Sequence, residues 1–191
     1  MKRFSKLRPE PSERPSLRTL VSRTSRPQRV SSSPLQPPSK CISRADLLEK
    51  KQEWSASGRT VVFTNGCFDL FHEGHQHTLD EAAKLGDVLV VGLNSDDSVH
   101  RLKGNGRPVD DLETRVSNLS LRAVVDSVVV FEEDAPTKLI EALEPDILVK
   151  GGDYHVDEVV GREIVERAGG KVIIVSYLDG ISTTNRIRPK P

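Results

Sequence analysis

The sequence has little cysteine, few aromatic residues and no long apolar run. Cys41 and Cys67 are its only cysteines, which are too few for a disulfide framework and fit a reducing cytoplasm. No apolar stretch approaches the roughly 20 residues that a membrane-spanning helix needs. The 28 Lys and Arg residues balance the 28 Asp and Glu residues, which excludes a uniformly basic nucleic-acid binder. We therefore expect a cytoplasmic protein that binds neither a membrane nor nucleic acid.

The neutral total hides two unlike segments. Residues 1–40 hold ten Lys or Arg against two Asp or Glu, a net charge of +8, and sixteen of the 40 are Ser or Pro. Such a segment buries too little apolar surface to offset its ordering entropy, so we expect a disordered basic tail. The Arg and Ser content also resembles a transit peptide, and binding of the tail to nucleic acid or an anionic membrane is a further alternative. We favour a spurious upstream start or a plain flexible tail.

Residues 41–191 carry a net charge of −8 and have the size of one domain with its own core. Short β-branched runs alternate there with helical patterns, and the runs lack the polar alternation of a half-exposed strand. This order predicts an α/β fold, a Rossmann-like doubly wound parallel sheet of five strands with helices on both faces. The predicted strands are 60–64, 88–93, 127–131, 147–149 and 171–177, and the predicted helices begin at 43 and cover about 75–85, 96–102, 112–124, 136–143 and 157–168.

Ligands of doubly wound sheets bind beyond the carboxyl ends of the strands, which directs attention to the loops after residues 64, 93, 150 and 177. The first of these loops carries His72, Gly74 and His75 at the predicted start of a helix. Helix N-termini bind anions, and two imidazoles there suit stabilisation of charge on a phosphoryl group. A surface metal site that adds His77 is one alternative, and a solvated or capping histidine cluster is the other. The zinc-protease spacing itself fails because residue 76 is Gln.

Three further loops offer groups that could bind phosphate or nucleoside. Residues 180–187 follow the last predicted strand with Ser182, Thr183 and Thr184, whose hydroxyls could form a phosphate cradle at a helix start. The Gly-containing segment 101–107 reads as an anion clamp or a solvated basic loop. Asp153 follows two glycines and could accept hydrogen bonds from a nucleoside. The local cations of this acidic domain are Arg101, Lys103, Arg107, Arg115 and Lys150.

Four ordered stretches resemble the cytidylyltransferase-like nucleotidylyltransferases, and more narrowly the adenylyltransferase domain that makes ADP-heptose. They are FTNGCFDLFHEGH (63–75), GDVLVVGLNSDDSVHRLKGNGRPV (86–109), FEEDAPTKLI (131–140) and PDILVKGGDY (145–154), and ISTT (181–184) closes the series. The similarity covers about residues 44–187. It leaves the basic tail unmatched.

The resemblance implies transfer of AMP from ATP to D-glycero-β-D-manno-heptose 1-phosphate, with release of pyrophosphate. His72 and His75 match the motif histidines that stabilise the transition state at the α-phosphate, and Lys103 and Arg115 match cations that contact the triphosphate. Ser182, Thr183 and Thr184 match the residues that hold the β- and γ-phosphates. The other nucleotide-binding residues that the resemblance implies are Asn65, Gly66, Cys67, Phe68, Gly74, Gly151 and Asp153.

The resemblance also implies a Mg²⁺ ion held mainly through the phosphates of ATP, because this ion usually relies on substrate oxygens. A separate heptose kinase is expected upstream, since 191 residues leave no room for a kinase domain. A homodimer stays open. Two alternatives for function also stay open: a glycerol-3-phosphate cytidylyltransferase or related phospho-alcohol enzyme, and a non-catalytic nucleotide-binding regulator.

Overall fold

A computed structural model describes residues 40–152 and 155–176. The tail predicted for residues 1–40 therefore lies outside the described residues, apart from Lys40. The helices are α1 (Arg44–Ala56), α2 (Glu73–Ala83), α3 (Asp96–Lys103), α4 (Leu112–Ser120), α5 (Thr137–Leu143) and α6 (Arg162–Arg167), with a 3₁₀ helix at Val156–Glu158. The strands are β1 (Val61–Gly66), β2 (Val88–Asn94), β3 (Ser127–Phe131), β4 (Ile147–Gly151) and β5 (Lys171–Val175).

The five strands form one parallel sheet in the order β3-β2-β1-β4-β5. The chain builds outward from β1 through β2 to β3, then crosses to the other side of β1 for β4 and β5. The winding therefore reverses between β1 and β4, where Val62 pairs with Ile147. This arrangement confirms the predicted doubly wound fold and puts the expected ligand crevice at the carboxyl ends of β1 and β4.

Successive residues of each strand point to opposite faces of the sheet, so the sheet carries a hydrophobic core on each side. Val61 and Phe63 belong to the core that α1, α5 and α6 cover, whereas Val62 belongs to the core that α2 and α4 cover. Burial on both faces explains why the strand sequences are continuously apolar.

Helix α1 begins with a complete capping box, in which Ser43 accepts from the Asp46 N–H and the Asp46 side chain accepts from the Ser43 N–H. Leu47 and Trp54 are 0 and 7% exposed and join the first core, so this helix is anchored despite its charged sequence. Immediately before it, Ile42 donates to the Val128 carbonyl and Lys40 accepts from the Val128 N–H. The segment thereby covers the outer edge of β3, which would otherwise expose unpaired backbone groups.

Two helical predictions were too long. The expected helix 157–168 is interrupted at Gly161, whose φ of 92° is outside the helical range, so only a 3₁₀ turn and the short α6 form. The expected helix 112–124 ends at Ser120. Lys40 Nζ donates to the carbonyls of Arg122 and Val125 at 2.7 and 2.6 Å, which stabilises the turn that follows α4. No helix in the described ranges is long and apolar enough to cross a membrane.

Two adjacent leucines on α1 test how strongly this helix is anchored. Leu47→Ala should lower the free energy of unfolding by about 2–5 kcal/mol, because it leaves a cavity in a closed core. Leu48 is 38% exposed, so Leu48→Ala should change it by less than about 0.5 kcal/mol. Urea denaturation of both variants measures the difference. Equal losses would contradict the anchoring of α1 through Leu47.

Candidate active site

A cleft of about 530 Å³ opens at the carboxyl ends of β1, β2 and β4, where the winding of the sheet reverses. Its floor is the end of β1 with the loop that follows. One wall comes from the end of α3 and the next loop, and the other from β4 and the 3₁₀ helix. The loop between β3 and α5 also reaches the cleft, although the sequence did not single it out as a site. Parallel strands place all their carboxyl ends at one edge, which is why distant segments meet here.

His72 and His75 lie at the first turn of α2 and both line the cleft. His72 is the N-cap residue, and its Nδ1 accepts a hydrogen bond of 3.3 Å from the His75 N–H. This acceptor role puts the proton of the neutral imidazole on Nε2, where it can be donated. The two rings stack with centroids 3.8 Å apart, and Phe68 and Phe71 pack against His75. The pair is thus held in place at a helix terminus that favours anions.

Asp69 binds the loop between α3 and α4 to the floor of the cleft. Its carboxylate accepts from Arg107 Nε at 2.5 Å and from the backbone N–H groups of Val109 and Asp110 at 3.0 and 2.9 Å. Burial alone would raise the pKa of Asp69, but these backbone hydrogen bonds and the Arg107 charge outweigh it and hold that pKa below its usual value. The loop that carries Arg107 is therefore fixed over the site.

Arg115 lies behind the floor and is fully buried. Its Nη1 donates to the carbonyls of Cys67 and Asn94 at 2.8 and 2.7 Å, and its Nη2 pairs with Asp96 at 2.6 Å. Its Nε donates to the Asp110 carbonyl at 3.1 Å. The guanidinium thereby joins the loop after β1, the end of β2 and the loop before α4, so its geometry is that of a positioning group.

The five cations expected near the site divide into two groups. Three are engaged by carboxylates: Arg101 with Asp134, Arg107 with Asp69, and Arg115 with Asp96. Lys103 and Lys150 form no ion pair with any residue that the structure describes, and both line the cleft. These two ammonium groups are the cations of the described site whose charge is not already compensated.

Lys150 extends from β4 across the switch point to β1. Its Nζ donates to Oδ1 of Asn65 at 2.5 Å and to the Asn65 carbonyl at 3.2 Å. Burial lowers the pKa of Lys150 to about 8. Burial likewise raises the pKa of the neighbouring Cys67 thiol, so this thiol is protonated at neutral pH. Gly151 follows directly, and a β-carbon there would collide with Oγ1 of Thr78 on α2.

Most of the predicted site residues come together in this cleft. Those that line it are Asn65, Gly66, Cys67, Phe68, His72, Gly74, His75, Lys103 and Gly151. Arg115 is buried behind them, and Asp153, Ser182, Thr183 and Thr184 lie outside the described residues. The lining that the sequence did not assign to the site includes Thr64, Thr78, Asn94, residues 134–136 and residues 158–160. Asn94 had a usable signal, since it ends a buried strand on the side where ligands bind.

The metal alternative for the histidines finds no support in their arrangement. Within residues 40–152 and 155–176, no group of three or more His, Cys, Asp or Glu side chains is placed to hold a metal ion. The imidazoles of His72 and His75 instead stack on one another at the helix start. The geometry therefore favours an anion as the ligand of this pair.

The cytidylyltransferase-like family model matches residues 63–188, which is most of the chain. All the residues that line the described cleft lie within this range. The chain belongs to the cytidylyltransferase-like family. Among curated relatives, a bifunctional protein HldE from Alcanivorax borkumensis is 49% identical over 152 residues, 78% of this chain. Another HldE, from Geobacter sulfurreducens, is 57% identical over 132 residues, 69% of this chain. The chain spans about a third of the length of these relatives, 32 and 27% respectively.

Two solved structures are similar to this chain. A lipopolysaccharide core biosynthesis protein from Thermoplasma volcanium is 35% identical, with a TM-score of 0.51 over 63% of this chain and 98% of that chain. A pantoate-β-alanine ligase from Francisella tularensis has a TM-score of 0.56 over 78% of this chain and 73% of its own. Because its identity is 12%, this second likeness concerns the fold alone.

The hydrogen bonds of Asp69 predict a pH-dependent contribution to stability. A lowered pKa means that the folded state favours the carboxylate, so the stabilisation is present above the unfolded pKa of about 3.9 and is lost as the pH falls through the folded value. Asp69→Asn should therefore destabilise the protein at pH 7, and the difference from wild type should shrink below about pH 4. Urea denaturation across this range measures it. The exposed Asp97→Asn is the control, and a pH-independent difference for Asp69→Asn would contradict the assignment.

Proposed function

We propose that this chain transfers AMP from ATP to D-glycero-β-D-manno-heptose 1-phosphate and releases pyrophosphate. The observation that carries the proposal is the stacked pair of His72 and His75 at the start of α2, in a cleft at the switch point of the sheet. Identities of 49–57% to proteins named HldE support the choice of this family member. The same choice is supported by the cleft residues that fall within the stretches 63–75, 86–109, 131–140 and 145–154, which resemble the adenylyltransferase domain that makes ADP-heptose.

In the proposed reaction, a phosphate oxygen of the sugar phosphate attacks the α-phosphorus of ATP. The new P–O bond joins AMP to the acceptor, the bond between the α-phosphorus and its bridging oxygen breaks, and pyrophosphate leaves with that oxygen. The acceptor oxygen is already an anion, so no general base is required. Catalysis then depends on alignment of the two phosphates and on stabilisation of the growing phosphoryl charge.

His72 and His75 supply that stabilisation in the proposal, together with the N–H groups of the first turn of α2. Because neighbouring groups already hold both rings, little reorganisation is needed when charge develops. Lys103 adds a cation from the end of α3 and contacts the triphosphate in this scheme. Arg115 acts through the loops that it joins rather than by touching phosphate.

We further propose that Ser182, Thr183 and Thr184 hold the β- and γ-phosphates and that Asp153 contacts the nucleoside, as the family resemblance implies. A Mg²⁺ ion would neutralise phosphate charge when bound. Three described carboxylates line the cleft: Asp69, Asp134 and Glu158. Asp69 is occupied by Arg107 and two backbone N–H groups, and Asp134 by Arg101, so the cleft fits an ion held through substrate oxygens. A kinase reaction must supply the sugar 1-phosphate.

A nucleotide panel tests the substrates. ATP with heptose 1-phosphate should give ADP-heptose and pyrophosphate, identified by mass spectrometry, whereas CTP with glycerol 3-phosphate should give no product. The family description names cytidylyltransferases, so CTP is the alternative that the panel must include. Pyrophosphate release with CTP but not with ATP, in the presence of heptose 1-phosphate, would overturn the proposal.

Substitution of the two histidines tests the chemistry separately from the fold. His75→Ala should lower kcat by about 10²–10³, the usual cost of a lost oxyanion-type donor. His72→Asn should have a similar effect while it keeps a good N-cap residue at the start of α2. Steady-state kinetics with ATP and heptose 1-phosphate measure both.

The matched control for these variants is His100→Ala, because His100 is exposed on α3 away from the cleft lining. Its kcat and KM should equal those of the wild type. Unchanged turnover in His75→Ala would require the mechanism to be abandoned. Binding of ATP without any turnover by the wild type would instead favour a non-catalytic nucleotide-binding role.

A further inference from the structure

Lys150 is a charged side chain to which the proposed chemistry gives no role, although it lines the cleft. It extends from the carboxyl end of β4 and binds Asn65 at the carboxyl end of β1, the two strands between which the winding reverses. Its side chain is largely enclosed and lines the same cleft as His72 and His75. An ammonium group at this point lies where a bound substrate is expected.

The surroundings of Lys150 solvate its charge only partly. An ammonium group has three N–H donors, and Asn65 accepts two hydrogen bonds through one amide and one carbonyl oxygen. Neither acceptor carries a negative charge, and Lys150 has no ion pair within residues 40–152 and 155–176. Buried charges are normally paired, because removal from water costs several kcal/mol per ion. Within the described cleft, the ammonium group of Lys150 therefore lacks a negatively charged partner.

We propose that Lys150 is a phosphate-binding residue, and that a phosphate oxyanion of a substrate supplies the counter-charge of its ammonium group. Phosphate suits this position because its oxygens accept charge-assisted hydrogen bonds. Beside the two N–H groups given to Asn65, the third has no hydrogen-bond partner among residues 40–152 and 155–176. The inference rests on the proposed function, in which both substrates carry phosphate. The nucleotide and the sugar phosphate offer the same chemistry.

Binding of an anion at Lys150 is linked to a proton. With the pKa of Lys150 lowered to about 8 by burial, the free protein loses the ammonium proton as the pH rises through that value. A bound phosphate favours the charged form and takes a proton up. Affinity for the phosphate ligand should therefore fall above pH 8, by up to about tenfold per pH unit.

A second titratable group beside Lys150 has to be separated from it in the pH dependence. Cys67 is the neighbour whose charge acts on Lys150, and its thiolate would raise the pKa of the amine. A thiolate formed at high pH also repels phosphate, so Cys67→Ser is included as a separate variant. The remaining charged or titratable side chains of the cleft are Asp69, His72, His75, Lys103, Arg107, Asp134 and Glu158.

Isothermal titration calorimetry on the full chain tests the proposal with Lys150→Met, which keeps most of the length of the side chain but not its charge. The probes are ATP, heptose 1-phosphate, inorganic pyrophosphate and adenosine. Loss of a hydrogen bond to a charged partner should weaken binding of a phosphate probe by about 30-fold. Adenosine has no phosphate, so its affinity should not change. The matched control is Lys171→Gln, because Lys171 is exposed and begins β5 at the edge of the sheet opposite to the cleft.

The dependence of phosphate-probe affinity on pH distinguishes a phosphate-binding lysine from a merely structural one, because a structural role would not change this dependence. The affinity of the wild type and of Cys67→Ser for the phosphate probe should fall above pH 8. Lys150→Met should bind the probe weakly at every pH. The affinity of Lys150→Arg should not change with pH, because arginine keeps its charge. If Lys150→Met does not fold, the wild-type profile with ATP against adenosine still decides the question.

The probes separate the two sources of phosphate. Weaker ATP binding with unchanged heptose 1-phosphate binding assigns Lys150 to the nucleotide, and the reverse assigns it to the acceptor. Lys150-dependent binding of ATP or pyrophosphate without any ADP-heptose formation would overturn the proposed function and leave this inference standing. Equal affinities of wild type and Lys150→Met for every phosphate probe, or a flat wild-type pH profile, would overturn the inference.

Discussion

The hydrogen bonds of one buried guanidinium fix the geometry on which the site depends. Arg115 is fully enclosed, and a buried arginine is tolerated only when its donors are satisfied. Its partners are backbone carbonyls of Cys67, Asn94 and Asp110 and the carboxylate of Asp96. These groups come from three segments: the loop after β1, the end of β2 with the start of α3, and the loop before α4. Because the donors of a guanidinium lie in one plane at fixed angles, the three segments cannot shift independently.

Asp69 has the corresponding role for the loop between α3 and α4. Its carboxylate binds one side chain and two backbone N–H groups of residues 107–110, so the loop between α3 and α4 stays close to the start of α2. The carboxylate of Asp69 and the guanidinium of Arg115, both buried, thus hold the loop after β1 in place from its two sides. Between them, His72 caps α2 and keeps its ring stacked on His75. The position of the histidines therefore depends on ionic hydrogen bonds that do not include them.

The charge of the domain explains why so few cations are left for a substrate. Residues 41–191 are acidic overall, so their field does not attract phosphate, and local cations must do so. Three of the five candidates, Arg101, Arg107 and Arg115, are engaged by carboxylates within the fold. Lys103 and Lys150 are indistinguishable from the paired cations in sequence, because charge pairing depends on which side chains the fold brings within 4 Å.

Local patterns were enough to predict the doubly wound sheet, the order of its elements and the histidine loop, because buried parallel strands are continuously apolar and ligand loops follow strand ends. They were not enough to predict the end of α4, where Lys40 binds carbonyls that are more than 80 residues away. Nor did they show that Arg115 is internal or that the loop after β3 reaches the cleft. Such features depend on contacts between distant segments, and only the packed tertiary structure decides which polar groups are buried together.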